Sequence, residues 1–74
     1  MSPKLPRLTA KQLIKKLKEN GYVYSGSEGS HQHFVHPEKP VKLTIPVHPG
    51  KIIGPGLLKA ILRQAKLEPE DILD

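Results

Sequence analysis

The chain has 74 residues, room for one small domain only, because chains this short bury about 60% of the surface that their unfolded form exposes. It contains no cysteine, 36% apolar residues, and 12 Lys and Arg against 7 Asp and Glu for a formal charge of +5; a disulfide framework and a thiolate metal site are excluded, and a polyanionic partner is favoured. No apolar run reaches the roughly 20 residues of a membrane span and no apolar signal core follows a charged start, so the composition reads as a soluble, cytoplasmic protein with no membrane partner.

Charge is segregated along the chain. Residues 1–20 carry six cations and one acid, 21–50 two of each, 51–67 four cations and no acid, and 68–74 four acids. Two basic segments thus flank a neutral centre that holds all four histidines.

Residues 1–8, with Pro3 and Pro6 and little apolar content, read as an extended or frayed arm outside the core, and residues 9–74 as a single domain. Thr9 and Gln12 fit a capping box, so a helix starts here. Ala10, Leu13, Ile14 and Leu17 share its apolar face, Lys11, Lys15 and Lys18 form a basic stripe, and Asn20-Gly21 stops it. From Tyr22 the period changes to two. Strands are predicted over 22–25, 31–36 and 41–47, an antiparallel meander broken by Gly/Ser-rich and Pro-rich turns. In the third, Val41, Leu43 and Ile45 face one way and Lys42 and Thr44 the other, so the sheet covers a core on one side. Pro46 cannot donate to a ladder and belongs at the end of an edge strand, which gives the order one, two, three.

Gly54-Pro55-Gly56 opens a second helix with Pro55 near its first position. Leu57, Leu58, Ile61, Leu62 and Ala65 form its apolar face and Lys59, Arg63 and Lys66 its basic one. In the acidic tail, residues 68–71 suit a last helical turn, with Ile72 and Leu73 packing back on the body. The sum is an α+β fold in the order α-β-β-β-α, a three-stranded antiparallel sheet with both helices on one face, as in double-stranded-RNA-binding domains.

The chemistry lies in residues 26–37. Histidine both gives and takes protons near neutrality. If Phe34 points inward, alternation sends Gln32 and His36 with it and puts His31, His33 and Val35 on the open face. Val35 sits awkwardly there, needing an edge bulge or a partner to cover it. Imidazoles on a strand surface commonly do no chemistry at all. A metal held by His31 and His33 is the weaker alternative to acid–base catalysis, since only Glu28 is at hand to extend the ligand set and zinc sites use three or four. His48, after the third strand, either approaches the same site or caps the turn before Gly50.

Gly29-Ser30-His31 followed by Phe34 and His36-Pro37, then Leu43-Thr44-Ile45-Pro46-Val47-His48 with Gly50-Lys51, then Gly54 and Leu58 through Ala65, resembles the HicA (YcfA-like) family of toxin endoribonucleases over about residues 9–73. The resemblance implies a double-stranded-RNA-binding-like fold, cleavage of mRNA without cofactor or metal, and neutralisation by a HicB-family antitoxin. The family's catalytic histidine maps to His31. Gly29 and Ser30 shape its turn, and its acid–base partner is left open among His33, His48 and a lysine. The chain departs from the pattern at Lys66, where a glycine commonly ends the second helix, and in its longer arm.

For such chemistry Lys11, Lys15, Lys18, Lys59, Arg63 and Lys66 would hold the RNA backbone, with Lys51 beside the helix opening as a further phosphate contact. The rival reading is a non-catalytic RNA-binding module in which the histidines are incidental, and a third is an inert antitoxin or adaptor.

Overall fold

The computed structural model describes residues 5–73. It contains α1 (Ala10–Glu19), β1 (Val23–Glu28), β2 (His31–His36), β3 (Lys39–Pro46) and α2 (Pro55–Ala65), then a single 3-10 turn over Pro69–Ile72. The sheet is antiparallel in the order β1-β2-β3. The α-β-β-β-α order and the one-sided sheet agree with the pattern of the sequence.

Each helix forms for a local reason. The Thr9 hydroxyl accepts the Gln12 amide at 3.2 Å while the Gln12 side chain accepts the Thr9 amide at 2.9 Å, so the predicted capping box closes the start of α1. Pro55 sits in the first turn of α2, where its missing N–H has no intrahelical partner to lose. Leu13 and Leu17 from α1, Leu58, Ile61, Leu62 and Ala65 from α2, and Phe34, Leu43 and Ile45 from the sheet make one continuous core, which Ile72 closes from the tail. Glu68 and Asp71 cap the final turn reciprocally, and this carries Ile72 inward.

Several details differ from the expectation. Leu57, assigned to the apolar face of α2, is exposed, because it precedes Leu58 by one residue and is rotated off the buried stripe. Leu73 is also exposed, so of the last apolar pair Ile72 alone packs inward. Tyr22 precedes β1 and is buried, its hydroxyl donating to the Ala65 carbonyl at 2.9 Å. β1 runs on past Ser25 to Glu28 because a bulge between Tyr24 and Gly26 absorbs one residue and restores pairing.

β3 likewise begins at Lys39, two residues before Val41. Val35 is half-buried between its partners Val23 and Lys42, and the β2–β3 ladder is irregular just after it. Residues 1–4 of the arm, and with them Pro3, lie outside the described residues. Leu5 and Leu8, read as lying off the core, instead pack against it, and the Leu8 carbonyl accepts the Ile53 amide at 2.7 Å.

Candidate functional site

The site is built on the tight β1–β2 hairpin. Glu28 pairs with His31, which leaves Gly29 and Ser30 as a two-residue loop. Gly29 has φ +57° and Ser30 a negative φ, the combination that a II′ turn requires and that glycine adopts without penalty. The turn fixes His31 as the first residue of the central strand, opposite Glu28 on one side and Pro46 on the other. Val47 N–H donates to the Ser30 carbonyl at 2.7 Å, so the end of β3 is fastened to the residue before His31.

The four histidines fall into two classes. His33 has both ring nitrogens engaged: Nε2 is 3.1 Å from Glu28 Oε1 and Nδ1 is 3.0 Å from Thr44 Oγ1. An ionised carboxylate only accepts, so Nε2 carries a proton. Nδ1 of the neutral ring then accepts from the Thr44 hydroxyl. His36 accepts the Glu38 amide on Nδ1 at 3.0 Å and meets the Tyr22 ring edge-on at 5.0 Å between centroids. His31 and His48 differ from both: they are exposed, and no described residue hydrogen-bonds either ring.

Alternation places His31 and His33 together on the open face, as expected. His33 is nevertheless a clip across three strands, joining Glu28 of β1 to Thr44 of β3. The sequence pattern marks Thr44 only by its outward orientation. The register finds it, since Thr44 is the direct cross-strand partner of His33, and Glu28, the partner of His31, is the diagonal neighbour of His33 two pairs along. His48 follows Pro46, the cross-strand neighbour of His31, by two residues, and the turn from His48 to Lys51 closes with the Lys51 amide donating to the His48 carbonyl at 3.1 Å.

All seven predicted backbone-binding cations, Lys11, Lys15, Lys18, Lys51, Lys59, Arg63 and Lys66, have exposed side chains. A further cation, Lys42, is exposed on the open face beside Val35. It alternates with Leu43 in the pattern that marked the outer face, yet lies outside the helical stripes. Among the described residues no group of three or more His, Asp or Glu side chains converges on one point as a metal would require; the Glu28 carboxylate is taken up by His33. No described helix is long and apolar enough to cross a membrane.

A family model described as HicA toxin of bacterial toxin-antitoxin matches residues 10–67, from the first residue of α1 to just past the end of α2. No curated relative matches the chain.

Proposed function

Because the chain belongs to the HicA toxin family, and is thus a toxin of a toxin–antitoxin system, we propose that it is a cytoplasmic, metal-independent endoribonuclease that cleaves mRNA and is silenced by a HicB-family antitoxin. The observation that carries this reading is the state of His31: an exposed imidazole on the central strand, with no described residue bonded to its ring. Such a ring is available to a substrate proton, whereas those of His33 and His36 are already committed.

The reaction needs little machinery. A base removes the proton of a ribose 2′-hydroxyl, whose oxygen attacks the adjacent phosphorus. The bond to the 5′ oxygen breaks as an acid protonates it, leaving a 2′,3′-cyclic phosphate and a 5′-hydroxyl. His31 serves as one of the two groups. His48 is the better partner than His33, being likewise unbonded and at the same end of the sheet. A positioned acid or base contributes about 10²–10⁴-fold. The exposed cations on α1 and α2 supply backbone affinity with little sequence preference. An antitoxin that covers His31 would inhibit by occlusion, and an antitoxin complex with full nuclease activity would refute that part.

The test is cleavage of RNA by purified protein in the presence of a chelator. His31→Ala should lower the rate by at least about 10²-fold and end growth inhibition, while leaving thermal stability and antitoxin binding near those of the parent. Cleavage by His31→Ala at the parent rate would point instead to a binding module with incidental histidines.

A further inference from the structure

A groove of about 410 Å³ opens between the first turns of α1 and the segment that follows β3. Ile14, Val47 and Pro49 give it apolar walls, and Thr9, Lys11, Gln32 and His48 are the side chains in it that carry donors or acceptors. The volume lies in the range of small-molecule sites, which combine apolar walls with a few placed polar groups.

Gln32 is the informative residue. It follows His31 in β2 and projects from the opposite face of the sheet, opposite Ile45. It is half-buried, and no described residue hydrogen-bonds its amide. A primary amide offers donors and an acceptor side by side, the pattern that pairs with the edge of a nucleobase. Apolar walls suit the faces of such a ring, and Lys11 supplies a cation for an attached phosphate.

Position links the groove to the proposed chemistry. The Val47 amide donates to the Ser30 carbonyl, so one wall of the groove is fastened to the residue beside His31. A strand of RNA passing over this end of the sheet meets His31 on one face and the groove on the other. We infer that the groove is a nucleobase subsite for single-stranded RNA, in which Gln32 reads the base next to the scissile phosphate; this inference rests on the nuclease reading above.

The test has two arms. In the first, full-length His31→Ala protein is titrated with each of the four nucleoside 5′-monophosphates and with ribose 5-phosphate, followed by backbone amide NMR shifts. Base-bearing ligands should move the amides of Ile14, Gln32 and Val47, and ribose 5-phosphate should not. Gln32→Ala should weaken the preferred nucleotide by about tenfold, near the lower end of what a bidentate amide–base pair is worth.

In the second arm, the cleavage sites of the parent on a long RNA are compared with those of Gln32→Ala and of Ile14→Lys, which fills the groove from a half-buried helix position; each variant is first shown folded by its NMR spectrum. The base preference beside the cut should flatten in both. Identical shifts with ribose 5-phosphate, or an unchanged cleavage profile in both variants, would overturn the subsite and leave the nuclease standing. A parent that cuts no RNA overturns the nuclease reading instead, and the titration alone then decides whether the groove takes a base. Shifts in these amides on adding an acidic antitoxin peptide, with none on adding nucleotides, would assign the groove to the partner protein and sink the proposal.

Discussion

Lys66 holds at the end of α2 the place that Gly21 holds at the end of α1. Both are left-handed, with φ 57° and 93°. After α1 the Gly21 amide donates to Lys18 O and the Tyr22 amide to Leu17 O, both at 3.0 Å; after α2 the Lys66 amide donates to Arg63 O at 3.2 Å and the Leu67 amide to Leu62 O at 3.0 Å. This is the Schellman pair of bonds in each case. A Cβ in that conformation costs about 1–2 kcal/mol, partly offset by the greater freedom a glycine loses on folding. Lys66→Gly should therefore raise stability by roughly 0.5–1 kcal/mol. Urea unfolding measures it, and a lower midpoint in the variant would show that the lysine is held by contacts that outweigh the strain.

At Gly21 the same substitution logic runs the other way. A Cβ there would lie 2.6 Å from His36 Nε2, a ring fixed by the Glu38 amide on its other nitrogen and by Tyr22. Gly21→Ala adds the left-handed penalty to the displacement of that ring, and a loss of about 2–3 kcal/mol is expected. A thermal midpoint within a degree of the parent would mean that His36 swings away freely.

Tyr22 ties the end of α2 to the start of the sheet, and the Ala65 carbonyl it reaches also accepts Lys39 Nζ at 3.0 Å. Since the acceptor keeps its lysine, Tyr22→Phe should cost only about 1 kcal/mol at neutral pH. Burial pushes the phenol above its ordinary 10.0. The folded state therefore holds that proton more tightly than the unfolded chain does. The stability involved is complete below pH 10 and is lost as pH rises through the folded value. The gap between parent and Tyr22→Phe should narrow in urea melts taken from pH about 8 to about 11; a gap that stays constant would contradict the raised value.

Periodicity and caps made most of this fold legible in the sequence, because they are local: the Thr9–Gln12 box, the Asn20-Gly21 stop and Pro55 each act within a few residues. What remained hidden depends on register. The Ser25 bulge, the Glu28–His33–Thr44 clip and the contact of Tyr22 with Ala65 join residues that become neighbours only once the strands and α2 are in place. The same holds for the choice between His33 and His48. Spacing set His31 and His33 side by side, whereas the hydrogen bonds that occupy one ring and leave the other free come from β1 and β3.

His33 is accordingly expected to matter more for stability than for chemistry. His33→Ala removes both arms of the clip from a partly exposed position, and a cost of about 0.5–1 kcal/mol is expected from hydrogen bonds of that kind. Because Nε2 faces a carboxylate, the loss should shrink when Glu28 is already Gln, which a double-mutant cycle measures. Cleavage by His33→Ala should fall far less than by His31→Ala. Equal losses in the two variants would restore His33 as an acid–base candidate.

RNA affinity should reside in exposed cations whose contribution is read from salt dependence. Each phosphate contact adds about 0.7 to the slope of log affinity against log salt for a single strand. Replacing Lys11, Lys15 and Lys18 by Gln keeps three good helix formers on the solvent side of α1, and should lower the magnitude of the slope by about 2 if all three meet phosphates. The measurement uses His31→Ala protein, so that the RNA stays intact, with fluorescence anisotropy across a salt series. Removing Lys59, Arg63 and Lys66 in the same way reports on α2. A slope altered by the first set and not by the second would put the RNA along α1 alone, and a slope altered by neither would remove both helices from the RNA path and leave Lys42 and Lys51, the exposed cations nearest β2 and β3, as the sites to test.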